Sequence, residues 1–171
     1  SQALKYQRVE NLPFDVACFL NIGRDHISPI EHPTFEDYFE SKLRIFDQAK
    51  TAVVNLGTEE VDRVLEAAST ADRLVTVGVE HPEASLWASD VSMVGFSIEF
   101  NLHGLCADES ETGEKVLLGI AGDFNVENAL VAIAAARDIG IGIEAITKGL
   151  SNLRVPCRMD VGESTVGRVI C

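Results

Sequence analysis

Phe14-Asp15-Val16-Ala17-Cys18-Phe19-Leu20, followed at once by Asn21-Ile22-Gly23-Arg24-Asp25-His26, is the stretch on which the fold turns. The first seven residues form a short apolar run, the length of a strand buried on both faces, as strands of parallel sheets are. The polar cluster after it falls where open α/β sheets bind ligands, outside the carboxyl ends of their strands. Gly23, Pro29 and Pro33 then mark a loop, and Thr34, with Asp37 three residues on, reads as the N-cap of a helix.

That helix is predicted over Phe35 to Phe46. Phe35, Tyr38, Phe39, Leu43 and Phe46 recur at the 3.6-residue period, and Lys42 stands on the same stripe. A lysine so placed has two fates. It snorkels, laying its methylenes on the core with the ammonium in water, or it is desolvated and its neutral amine becomes available for chemistry such as carbamylation. A carbamylated lysine presents two oxygens and suits Mg²⁺, which prefers oxygen donors. An Asp-His pair at a strand end is equally double: a local hydrogen bond, or a proton-shuttling or metal-ligating imidazole oriented by its neighbour.

Outward from this stretch the pattern alternates. Thr51 to Leu56 reads as a strand, Thr58 as the cap of a helix with Val61, Val64, Leu65 and Ala68 inward, and Arg73 to Val79 as another strand. This spacing predicts an α/β fold, a mostly parallel sheet flanked by helices. From about Ser85 the character changes: Phe96, Ile98, Phe100 and Leu102 alternate with Ser97, Glu99, Asn101 and His103, so a strand with one wet face is expected, paired antiparallel with Lys115 to Ile120 in a small sheet at the edge of the parallel one. Gly122-Asp123-Phe124-Asn125 opens a helix to about Asp138, a second helix follows Gly142 and stops at Pro156, and Asp160 to Cys171 reads as a hairpin or two short strands. Asn125 and Asn128 either cap the first of these helices or present an amide to a base or ribose. Arg158 is a surface charge or a nucleotide clamp. His32, His81 and His103 are scattered and read as non-ligands, His103 on the solvated face of its strand.

A net charge of −13 over 171 residues argues against nucleic-acid or anionic-membrane binding, which needs clustered Lys and Arg. No apolar stretch reaches eighteen residues. The four cysteines have no metal-ligand spacing, and with no secretory signal a reduced, cytoplasmic setting is expected. No G-x-x-x-x-G-K-[ST] phosphate loop occurs. Both ends read as cut.

Four segments in order resemble the central domain of the Mur ligases, ATP-dependent amino-acid ligases of peptidoglycan precursor synthesis with a P-loop-like topology. They are Asn21-Ile22-Gly23-Arg24-Asp25-His26; Tyr38-Phe39-Glu40-Ser41-Lys42-Leu43-Arg44-Ile45-Phe46; Gly122-Asp123-Phe124-Asn125-Val126-Glu127-Asn128-Ala129-Leu130-Val131-Ala132; and Cys157-Arg158-Met159-Asp160. Ser1-Gln2-Ala3-Leu4 with Gln7-Arg8-Val9 looks most like the branch that adds the third peptide residue. The resemblance implies residues 1–159 as the central domain lacking its P-loop part, and 160–171 as the start of a C-terminal ligase domain.

It further implies His26 as a Mg²⁺ ligand and Lys42 as a carbamylated lysine holding a second Mg²⁺, both catalytic. Asn21, Asn125 and Arg158 are implied on ATP, and Ser1 and Arg8 against the muramoyl substrate. The implied partners are a UDP-N-acetylmuramoyl dipeptide and an amino acid, joined through an acyl phosphate, with the 171 residues alone expected to be inactive. The family's N-x-D-D is here Asn55-Leu56-Gly57-Thr58, and Cys157 and Asp160 replace its usual glycine and glutamate. The alternatives are a folylpolyglutamate synthase, another muramyl ligase branch, or a non-catalytic partner-binding domain.

Overall fold

The computed structural model describes residues 2–23, 27, 32–104, 113–155, 161–164 and 167–170. The chain divides into two compact units, residues 1–77 and 78–171.

The first unit opens with a single helical turn, α1 (Gln2–Lys5), and leads into β1 (Phe14–Phe19). Helix α2 (Phe35–Leu43) begins where Thr34 Oγ1 accepts the Asp37 backbone N–H at 3.1 Å, the predicted cap. Its last predicted turn tightens into a 3-10 helix over Arg44–Gln48. Strand β2 (Ala49–Asn55) follows, then α3 (Val61–Ala68) and β3 (Arg73–Val79). Strand β2 pairs in parallel with β1, from Phe14↔Ala49 to Phe19↔Val54, and with β3, from Thr51↔Arg73 to Asn55↔Val77. The stripe on α2 packs as its period requires: Phe39 is wholly buried among Phe19, Phe46 and Val54, its ring edge-on to Phe19 and stacked on Phe35.

One predicted cap fails. The residue before α3 is Glu60, in the left-handed region with φ 54° and no side-chain cap bond, while the Thr58 hydroxyl is buried without a partner among the described residues. Arg63 holds α3 to α2 instead, reaching the carboxylates of Glu36 and Glu40 while lying over the Phe39 ring.

In the second unit the expected antiparallel pair is present with a third strand beside it: β4 (Leu86–Val94), β5 (Ser97–His103) and β6 (Glu114–Leu118). Alternation is lost along β4 because the register shifts between Ser89 and Ser92, where Asp90 turns to φ 53°. Ile98, Phe100 and Leu102 face inward as expected, but His103, on the opposite face, is not solvated. It is buried, stacked on Trp87 with ring centroids 4.0 Å apart, and its Nε2 lies 2.9 Å from Ser89 Oγ. The alternation holds, and its cross-strand partner Trp87 covers what would be the wet face at this position. Gly104 follows at φ 87°, where a Cβ would lie 2.1 Å from the Ser85 carbonyl oxygen, so this turn excludes any side chain.

Helix α4 (Phe124–Asp138) buries Val126, Leu130, Ile133 and Ala134 as the period predicts, and α5 (Ile143–Ser151) buries Ile146. The expected hairpin is formed by β7 (Val161–Ser164) and β8 (Gly167–Ile170). Helix α5 ends at Ser151, short of the expected stop at Pro156, which itself lies outside the described residues.

Candidate functional site

Strand β1 ends at Phe19, and the backbone that continues from it is held from two sides. The Asn55 side chain, buried at the end of β2, donates through Nδ2 to the Leu20 carbonyl oxygen at 3.1 Å, and its Oδ1 accepts the Gly57 N–H at 3.2 Å. One residue on, the Lys42 ammonium donates to the Asn21 carbonyl oxygen at 3.2 Å.

Lys42 reaches this point because it stands on the inner edge of α2. Its ammonium lies 4.9 Å from the centroid of the Tyr38 ring and 5.7 Å from that of Phe19, both distances at which a cation is attracted to an aromatic face. The side chain is half-buried. Lys42 and Asn21 open together on a pocket of about 350 Å³, whose other walls include Leu4, Cys18, Phe19 and Ile45. Burial pushes the Cys18 thiol above its ordinary pKa. A larger cavity of about 490 Å³, walled by residues such as Gln7, Glu10, Arg44 and Asp47, contains none of the predicted site residues.

Asn125 sits in the second unit, one residue into α4. Its Nδ2 donates to the Ala121 carbonyl oxygen at 2.6 Å, and its Oδ1 accepts from Asn128 Nδ2 at 3.3 Å. The amide therefore braces the loop that enters α4 instead of serving as a helix cap. Gly122, at φ 99°, makes room for it: a Cβ there would meet the Phe124 ring at 2.8 Å and Asn125 Nδ2 at 3.3 Å. Phe124 presents its ring beside this amide, 61% exposed.

The structure thus brings Asn21 and Lys42 together. Arg8 is exposed, with its guanidinium 5.7 Å from the centroid of the Tyr6 ring. Ser1, His26 and Arg158 lie outside the described residues. Among the described residues no three His, Cys, Asp or Glu side chains cluster as a metal site. Lys42 and the Asn21 carbonyl nonetheless fit one: the carbonyl is a hard oxygen donor, and a carbamate on Lys42 would add two more. His32 is buried with Nδ1 2.8 Å from Asp37 Oδ2, and His81 Nδ1 lies 2.8 Å from Glu83 Oε1. Sequence reasoning missed the Asn55 clamp; the signal available was a polar residue closing an otherwise apolar strand.

The Mur ligase middle domain family matches residues 1–136. Over 161 residues the chain is 37% identical to the UDP-N-acetylmuramoyl-L-alanyl-D-glutamate--L-lysine ligase of Streptococcus sanguinis (strain SK36), covering 94% of this chain and 31% of that protein. Over 170 residues it is 37% identical to the UDP-N-acetylmuramyl-tripeptide synthetase of Bifidobacterium longum (strain NCC 2705), again covering 94% and 31%. A solved structure of a UDP-N-acetylmuramoyl-L-alanyl-D-glutamate--2,6-diaminopimelate ligase superposes with a TM-score of 0.81 at 27% identity, covering 95% of this chain and 33% of that one. The chain spans about a third of the length of the relatives it matches. From Ser1 through most of α4 it belongs to the Mur ligase middle domain family.

Proposed function

We propose that these residues are the central domain of an ATP-dependent ligase that adds the third peptide residue to a UDP-N-acetylmuramoyl dipeptide. The observation that carries this reading is the meeting of Lys42 with the Asn21 carbonyl in a pocket beyond the end of a parallel strand. The names of the two curated relatives support the third-residue step.

In this reading His26 would hold one Mg²⁺ and a carbamylated Lys42 a second, and the two would supply positive charge to offset that on the phosphoryl group passing from ATP to the dipeptide carboxylate. Carbamylation would turn Lys42 from a hydrogen-bond donor into an anionic oxygen acceptor, the kind of donor Mg²⁺ prefers. Asn21 lies near the phosphates, and Asn125 and Arg158 take the base and ribose side. Ser1 and Arg8 lie against the muramoyl group. The amine of the incoming amino acid attacks the resulting acyl phosphate, forming the amide bond and releasing phosphate. Residues 1–159 belong to the central domain and 160–171 open the C-terminal ligase domain, in a cytoplasmic enzyme. Among the described residues no helix is long and apolar enough to cross a membrane. The 171 residues alone are expected to be inactive, since they contain no phosphate loop.

The test is ADP release by the full-length protein with UDP-N-acetylmuramoyl dipeptide, offered lysine or diaminopimelate in turn. Turnover with one of them, reduced about 100-fold or more by Lys42→Ala, is expected. ATP turnover that ignores muramoyl peptides, or a Lys42→Ala variant as active as wild type, sinks the reading.

A further inference from the structure

His32 and Asp37 have no part in the chemistry just described, yet they are built into the wall behind it. His32 is 1% exposed, and its Nδ1 lies 2.8 Å from Asp37 Oδ2. The same carboxylate oxygen accepts Lys5 Nζ at 2.6 Å, tying α1 to α2. The imidazole meets the buried Tyr38 ring at 60°, with centroids 5.1 Å apart. Tyr38 then offers its ring to the Lys42 ammonium at 4.9 Å.

Helix α2 places the Lys42 backbone, but a four-carbon stem leaves the ammonium many directions. An aromatic ring packed against a tethered imidazole cannot turn freely, and a cation is drawn to its face. We propose that His32 and Asp37 are positioning residues for Lys42: through Tyr38 they hold its amine at the Asn21 carbonyl and the pocket beyond. The functional meaning of this device rests on the ligase reading; its geometry does not.

The experiment uses the full-length protein in bicarbonate-free buffer with EDTA, limiting amounts of an amine-acetylating N-hydroxysuccinimide ester, and peptide mass spectrometry. Lys148, exposed on α5, is the internal control. Lys42 is expected to react several-fold more slowly than Lys148. His32→Phe, Asp37→Asn and Tyr38→Leu are each expected to raise the Lys42 rate about threefold and leave Lys148 unchanged. Tyr38→Phe, which keeps the ring, is expected to change neither.

Unchanged Lys42 reactivity in Asp37→Asn and Tyr38→Leu, with melting temperatures preserved, overturns the proposal, as does an equal effect of Tyr38→Phe and Tyr38→Leu. Should His32→Phe fail to fold, those variants decide alone. Ligation assays on Lys42→Met separate the two levels: full activity there removes the catalytic role of Lys42 and leaves its positioning standing on the labelling result.

Discussion

The Lys42 ammonium and the Asn21 carbonyl oxygen, 3.2 Å apart, join helix α2 to the backbone just past β1. A half-exposed hydrogen bond of this kind contributes about 0.5–1.5 kcal/mol. Lys42→Met keeps the stem and removes the donor, so it should lower stability by no more than that while abolishing ligation. Chemical denaturation and ADP release on the same preparation check both halves.

Phe39 is the keystone of the first unit's core, wholly buried between the α2 stripe and β1. Truncation to alanine removes the ring that Phe19 and Phe35 pack on and that Arg63 covers. Phe39→Ala should cost about 3–5 kcal/mol, read as a lowered denaturation midpoint.

The Lys5 bond first, and the His32 bond second, hold the Asp37 carboxyl below its ordinary value of 3.8. A depressed carboxyl contributes stability that is fully present above its unfolded-state value and is lost as pH falls through the lower folded-state value. The difference in melting temperature between wild type and Asp37→Asn should therefore be flat above about pH 5 and shrink below about pH 4. A difference that grows on acidification would contradict this pairing.

Thr58 carries a buried hydroxyl without a partner among the described residues. Replacing an unsatisfied polar atom by a methyl of similar shape removes a desolvation cost. Thr58→Val should be neutral or stabilising by about 1 kcal/mol in thermal denaturation.

What was legible in the sequence followed from local period. The stripe from Phe35 to Phe46 and the burial of Val126, Leu130 and Ile133 stand where 3.6-residue repeats put them, whereas the apolar run into Phe19, read as buried on both faces, forms its strand but buries only Ala17 and Phe19. Readings failed where a contact from elsewhere in the chain overrode the period. Trp87 covers His103 from a neighbouring strand, and the bulge at Asp90 hides the alternation of β4. The Asn55 clamp spans 35 positions to Leu20, and no window of sequence contains both partners. At the candidate site, Lys42 was visible as a cation on an apolar stripe, whereas the packing of the buried His32 imidazole on the Tyr38 ring behind it is a tertiary contact that no period encodes.

The Asn55 clamp also bears on how long the molecule lasts. An asparagine ages by deamidation when the next residue's backbone nitrogen attacks its side-chain carbonyl, and here that nitrogen belongs to Leu56. Its N–H is engaged with the Val77 carbonyl oxygen at 2.8 Å, and the Asn55 amide is itself bonded at both ends. Conversion to aspartate would set a carboxylate against the Leu20 carbonyl, at the strand end that leads to Asn21. The hydrogen bonds that aim the site therefore also shield it from its own chemical clock.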